Sequence, residues 1–202
     1  MKRVLDLYSG LGGFSEAFYQ DPTWEVIRID NNPLLADVPN TIIADLTKLD
    51  PRDYQDIDLI LASPPCTDFS NGYSSPRAKA HRAGIDQYQY KPDMTLVKTA
   101  IRWVNVIKPK FYLLENVVGS IRYFREERLY PISMHKPFVF YGNFPQFDMP
   151  NGWKHKKPDT WSDNPLRANI KAKLPLDLSL KILETFEGTT TLGRRIVTGK
   201  LP

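Results

Sequence analysis

The only cysteine in the chain, Cys66, lies in the segment Ser-Pro-Pro-Cys-Thr-Asp-Phe-Ser at 63–70. A thiol with two prolines before it and polar residues after it is either a small buried hydrophobe or a nucleophile held at a strand end. The apolar run 57–63 reads as a strand, and 67–70 reads as a helix start. A helix terminus or a nearby cation there is expected to lower the thiol pKa. Glu115 closes a second apolar run, 110–116. If the two strands are neighbours, sulfur and carboxyl face one pocket, a pairing suited to adding a nucleophile to an electron-poor carbon while an acid stabilises the developing charge.

The elements before this pair alternate between strand and helix. Strands are expected over 3–8, 24–30 and 41–47, and a helix over 12–20, the rhythm of a parallel sheet. Met94, Val97, Ile101, Val104 and Ile107 recur at helical spacing, so 93–107 packs as a helix that ends before Pro109. Beyond Asn116 the expected order is a helix from 118, a strand over 136–144 and a last helix over 175–186, with 145–175 an irregular surface excursion.

Gly10, Gly12 and Gly13 sit between the first strand and helix. Glycines there permit a tight turn and close ligand approach, or only a structural turn. The spacing is neither G-x-G-x-x-G nor a P-loop. Asp30 ends the second strand and Asp45 follows the third, where strand ends converge on a crevice. Asp30 suits two ribose hydroxyls and Asp45 an adenine amine, though either can cap a turn. The set suggests an adenosine cofactor without diphosphate, such as S-adenosylmethionine. Asp6 either positions the glycine turn or meets the cofactor's ammonium.

The Cys66–Glu115 pair fits cytosine chemistry. Sulfur cannot displace hydrogen from an aromatic carbon, but it can add to C6 if Glu115 donates toward N3, and C5 then becomes nucleophilic.

The ordered pieces Asp-Leu-Tyr-Ser-Gly-Leu-Gly-Gly-Phe-Ser-Glu-Ala-Phe at 6–18, Asp30, Ala-Asp-Leu-Thr at 44–47, the Cys66 segment and Leu-Leu-Glu-Asn-Val at 113–117 resemble the cytosine-C5 DNA methyltransferase family, in its compact phage or bacterial form. The resemblance implies an α/β, Rossmann-like S-adenosylmethionine-dependent methyltransferase fold over 1–202, with a mostly parallel sheet and a reduced C-terminal recognition region. It implies Cys66 as covalent nucleophile, Glu115 as the acid at N3 and Asn116 as a brace. S-adenosylmethionine is then held by Asp6, Ser9, Gly10, Leu11, Gly12, Gly13, Phe14, Asp30, Asn31, Asp45, Leu46 and Pro64. Pro65 shapes the cysteine loop, and Ser70 belongs to a segment that closes on the base.

Two departures stand out. No Gln-x-Arg-x-Arg segment supplies the family's base-contacting arginine, for which Arg122, Arg167 and Arg194 are the candidates here and Arg167 the preferred one. The long variable recognition region and the C-terminal Gly-Asn-x-Val segment are also missing. Duplex DNA is the expected substrate, with RNA or a free nucleotide as the enzymatic alternative, and a protein partner is a route to sequence recognition. An inactive nucleic-acid-binding module is the reading from another class.

The 27 basic and 23 acidic residues, with a sequence pI near 9.0, permit an anionic partner without naming one. Position says more: Arg77, Lys79 and Arg82 lie in the polar, Gly- and Pro-punctuated segment 67–92, read as a mobile loop that clamps phosphate and fills the gap left by an extruded base. Its bland alternative is a surface loop whose Tyr73, Tyr88 and Tyr90 pack on the sheet. One cysteine excludes an internal disulfide framework, and no run reaches membrane-span length, so a cytoplasmic location is expected. The scattered His81, His135 and His155 do not make a metal site.

Overall fold

The computed structural model describes residues 1–86, 89–156, 158 and 163–198, with side chains to Gly188. Seven strands form one sheet: β1 (Lys2–Leu7), β2 (Trp24–Asp30), β3 (Thr41–Ile43), β4 (Leu59–Ala62), β5 (Phe111–Val117), β6 (Pro131–His135) and β7 (Phe138–Gly142). Their spatial order is β3-β2-β1-β4-β5-β7-β6. The first five are parallel, and β7 runs antiparallel between β5 and β6. β1 has β2 on one side and β4 on the other, so the chain changes direction across the sheet there. The carboxyl ends of β1, β4 and β5 open on one crevice, as a doubly wound, Rossmann-like sheet requires.

Helices cover both faces. α1 (Glu16–Gln20) and α6 (Leu176–Thr198) bury Phe18, Leu178, Ile182 and Phe186 on one side. α3 (Thr95–Ile107) and α4 (Ile121–Glu126) bury Val97, Ala100, Trp103 and Phe124 on the other. α3 follows its expected stripe and stops at Lys108, whose left-handed φ of 54° precedes Pro109. α1 is shorter than the 12–20 expected, because Gly12 at φ 71° cannot be helical and Asp21 precedes a proline. The remaining helices are α2 (Pro76–Arg82) and α5 (Arg167–Ala172). Neither these nor β6 was anticipated from the sequence. β6 begins at a proline, which an edge strand tolerates because one side of its backbone needs no partner.

The glycine turn rests on a buried polar network. Arg28 of β2, almost fully buried, donates through Nε to Ser15 Oγ (2.9 Å) and through its Nη atoms to the carbonyls of Pro39 (2.9 Å) and Gly12 (3.4 Å). Ser15 in turn donates to Asp6 Oδ2 at 2.7 Å. A Cβ on Gly12 would lie 2.7 Å from the guanidinium, so glycine is needed for the turn to sit on Arg28. Burial pushes the Asp6 carboxyl up to about 6 against the opposing pull of Ser15 and Arg28. Arg28→Met removes the donor from two carbonyls and the positive charge beside Asp6. The expected loss is about 3 kcal/mol in urea unfolding, and a loss below about 1 kcal/mol would show the network to be dispensable.

Candidate active site

β4 and β5 pair in register, Ala62 opposite Leu114, so Glu115 is one residue past the last paired position and Cys66 lies on the turn that leaves β4. Asn116, fully buried, locks the two ends together. Its Nδ2 donates to the Pro64 carbonyl at 2.9 Å, while its Oδ1 accepts from the Val117 amide at 3.0 Å. The Cys66 carbonyl accepts from the amides of both Phe69 and Ser70 at 3.0 Å, which folds the loop back on itself. Phe69 anchors that fold by burying its ring against Tyr123 and Phe124. Pro65 stands exposed beside the half-buried thiol, and Pro64 is buried beneath it.

The electrostatics differ from the sequence expectation of a cation-activated thiolate. Burial, and then the Glu115 charge, push Cys66 up to about 11; residues 67–69 form a turn rather than a helix, and no cation offsets the rise. Burial likewise pushes Glu115 up to about 7, with the neighbouring Ser63 hydroxyl opposing. The resting pair therefore holds a neutral thiol beside a carboxyl poised to gain or lose a proton near neutrality. Tyr141, buried two strands from β4, is pushed up to about 12 by burial and feels the Glu115 charge, and its hydroxyl sits 2.8 Å from Ser120 Oγ. Ser63 and Tyr141 were not singled out in the sequence. Only their register across the sheet places them at Glu115.

The glycine turn lies at the neighbouring end of the crevice. Gly10, at φ 52°, donates its amide to Asp30 Oδ2 at 2.9 Å, and Asp30 Oδ1 accepts from the Asn32 amide at 3.0 Å. Each oxygen keeps a lone pair for a hydroxyl. Ser9 Oγ is buried with no hydrogen-bond partner among the described residues, which fits a polar ligand at the turn. Leu11 and Asn31 lie on the same two loops, partly buried and exposed. Tyr8, passed over in the sequence, holds a left-handed φ of 58° and donates its hydroxyl to the Leu96 carbonyl at 2.9 Å. Its signal was an aromatic residue immediately before the glycine turn.

Five residues expected to touch a cofactor have structural partners of their own. Phe14 is buried in the core edge-to-face with Phe140, and the Leu46 side chain is likewise core while its carbonyl accepts from Trp103 Nε1 at 3.2 Å. Asp45 caps its own turn, accepting from the Thr47 amide and hydroxyl at 2.9 and 2.7 Å. Asp6 is the fully buried support described above, the turn-positioning alternative. A Cβ on Gly13 would lie 2.6 Å from the Leu174 carbonyl, so that glycine serves close chain packing.

Segment 67–92 contains α2, capped by Ser75 Oγ, which accepts from the Ala78 amide at 3.2 Å. Lys79 and Arg82 are exposed, with Arg82 stacked 4.0 Å over the exposed Tyr73 ring, whereas Arg77 turns inward. Tyr90 packs on Tyr123, and Tyr88 lies outside the described residues. Ser70 Oγ accepts from the Gly72 amide at 3.0 Å. Arg167, the preferred candidate for the missing arginine, lies on α5. It is exposed at the start of α5, whose Asn169 lies over Gly10 and accepts from Asn32 Nδ2 at 3.4 Å, at the glycine-turn end of the crevice and not over Cys66 and Glu115.

Strand order, glycine turn and the paired acid and thiol define an α/β methyltransferase-type chain. It belongs to the C-5 cytosine-specific DNA methylase family, whose pattern matches residues 2–132. Among curated proteins it is similar to the type II methyltransferase M.DdeI of Desulfomicrobium norvegicum, 29% identical over 63% of this chain and 30% of that protein. It is also similar to the type II methyltransferase M.AquIA of Picosynechococcus, 26% identical over 63% of this chain and 53% of that one. The chain thus spans between about a third and a half of the length of these relatives. Of solved structures, a DNA modification methyltransferase encoded within an E. coli prophage aligns at 18% identity and a TM-score of 0.47, over 70% of this chain and 46% of that chain. Among the described residues, no helix is long and apolar enough to cross a membrane.

Proposed function

We propose that the protein transfers a methyl group from S-adenosylmethionine to C5 of cytosine in duplex DNA. The observation that carries this reading is the placement of Cys66 and Glu115 at adjacent parallel strand ends, where burial pushes both up and the Glu115 charge pushes the thiol further. Glu115 accepts the Cys66 proton, and the freed sulfur bonds to cytosine C6. The electron pair displaced from the C5–C6 bond moves onto the ring as Glu115 passes the proton to N3. After C5 has gained its methyl group, N3 returns its proton to Glu115, solvent water takes the C5 proton, and the Cys66 sulfur leaves with its bonding pair, which restores the aromatic ring. When bound, S-adenosylmethionine supplies the sulfonium methyl that C5 takes up.

The residues at the glycine turn fit such a cofactor. The free lone pairs of Asp30 suit ribose hydroxyls, and Ser9 Oγ and the backbone of Gly10 to Gly12 suit its amino-acid end. Asn116 fixes Glu115 relative to the cysteine loop, and Pro65 borders the base. Lys79 and Arg82, both exposed and the latter stacked on Tyr73, suit the phosphate backbone. The test supplies radiolabelled methyl donor with duplex DNA, RNA or cytosine nucleotides and identifies the labelled atom. Label at C5 of cytosine in duplex DNA is the expected result. Label on the exocyclic nitrogen of cytosine or adenine contradicts the mechanism, and label confined to RNA or nucleotides contradicts the substrate.

A further inference from the structure

Beside Asn116, a second side chain, Arg77, joins the Cys66 loop to the turn that follows β5. Its Nη1 donates to the Phe69 carbonyl at 3.2 Å and to the Gly119 carbonyl at 3.3 Å, and its guanidinium stands 5.9 Å from the Tyr123 ring centre. Phe69 lies three residues after Cys66, and Gly119 four after Glu115. The two segments touch closely enough that a Cβ on Gly119 would overlap the Phe69 carbonyl. Two peptide oxygens meeting in a half-buried junction repel each other unless a donor lies between them, and a charged guanidinium can serve both.

The bonds close into a ring. From Cys66 the chain runs to Ser70, whose carbonyl accepts from Ser75 Oγ at 2.7 Å. Ser75 caps α2, α2 carries Arg77, and Arg77 returns to the turn just past the strand that bears Glu115. The opposite side of α2 presents Lys79, Arg82 and Tyr73 to solvent. One short helix therefore has a cationic outer face and a single inward guanidinium that fixes the cysteine loop.

We propose that Arg77 is a positioning residue: it latches the Cys66 loop onto the end of β5, so that the seating of α2 sets the alignment of sulfur with Glu115. This assigns phosphate contact to Lys79 and Arg82 and removes Arg77 from that role. The proposal rests on the function proposed above for its catalytic consequence, but the latch itself can be read without turnover.

Because Cys66 is the only cysteine, its alkylation by iodoacetamide reports the loop directly. Arg77→Met keeps the alkyl packing on Tyr123 and removes both bonds, and Arg77→Lys keeps the charge with one donor head in place of the fork. In the full chain without DNA, the Met variant should be alkylated about 10-fold faster than the parent and the Lys variant at an intermediate rate, with the far-ultraviolet circular dichroism unchanged. Equal alkylation rates in parent and variants would overturn the latch. With duplex DNA, the Met variant should lose about 100-fold in kcat while DNA affinity changes less than about 3-fold. A weakened affinity with kcat retained at saturating DNA would make Arg77 a phosphate contact and overturn the proposal. If the parent transfers no methyl group, the proposed function fails, and the alkylation rates still decide the latch.

Discussion

Cys66→Ala should give a folded chain whose methyl transfer to cytosine is at most about 10⁻⁴ of the parent rate. The fold survives because the loop is held by groups other than the thiol. The Cys66 carbonyl takes two amides, Asn116 holds the Pro64 carbonyl, and Phe69 anchors the turn in the core. Losing one sulfur from a half-buried position should change stability by about 1 kcal/mol. The rate does not survive, because methyl uptake at C5 depends on a nucleophile at C6 and no second thiol exists in the chain. Thermal unfolding together with initial rates separates the two effects. Residual activity within about 10-fold of the parent would mean that C5 is activated by something other than this sulfur.

The second large effect is expected at Glu115. Glu115→Gln keeps the shape but can neither take the thiol proton nor deliver one to N3, and the expected loss in kcat/KM is about 10²–10⁴-fold. The pH dependence identifies the cause. Below about 7 both groups of the parent carry protons, and above about 11 neither does. The reactive pair has one proton between sulfur and carboxyl, so parent kcat/KM should rise with pH up to about 7, stay level, and fall again as pH passes about 11. In the Gln variant the step near 7 disappears, and the residual rate climbs toward the thiol's own titration, which moves down from its parent value because the Glu115 charge is gone. A step near 7 shared by parent and variant would place that titration elsewhere.

Stability should move the opposite way. The Glu115 carboxyl titrates at about 7 in the folded chain against 4.5 for the ordinary side chain, so the folded state prefers the proton. Its contribution is complete below 4.5 and is lost as pH rises through about 7, to a total of about 3 kcal/mol. Glutamine never ionises, so Glu115→Gln should unfold at higher urea than the parent at pH 8 and differ little at pH 4. A gain in stability with a loss in rate is the signature of a charge buried for function.

The sequence made the strand ends legible because their chemistry is local. An apolar run followed by a polar residue marks where β1, β2, β4 and β5 stop, and in a doubly wound sheet those ends share a crevice whatever the side chains do. What a side chain faces was not legible, because it depends on elements far along the chain. Asp6 points down to Ser15 and Arg28, Phe14 meets Phe140, and Asp45 turns back on Thr47. The activation of Cys66 was misread for the same reason. Arg77, Lys79 and Arg82 are near it in sequence, yet two face solvent and the third is engaged by carbonyls, so burial and Glu115 set the thiol's acidity. α2 was hidden among glycines and prolines that normally interrupt helices, although Pro76 at its first turn and Ser75 at its cap are favourable there.

The most direct measurement is trapping on duplex DNA with 5-fluorocytosine at the target, in the presence of S-adenosylmethionine. Fluorine cannot leave as the C5 proton does, so addition without elimination should hold the chain on the DNA. A denaturation-resistant adduct that maps to Cys66 and is absent from Cys66→Ala is the predicted result. Methyl transfer to ordinary cytosine by the same preparation, with no adduct on the fluorinated duplex, would contradict covalent attack by this thiol.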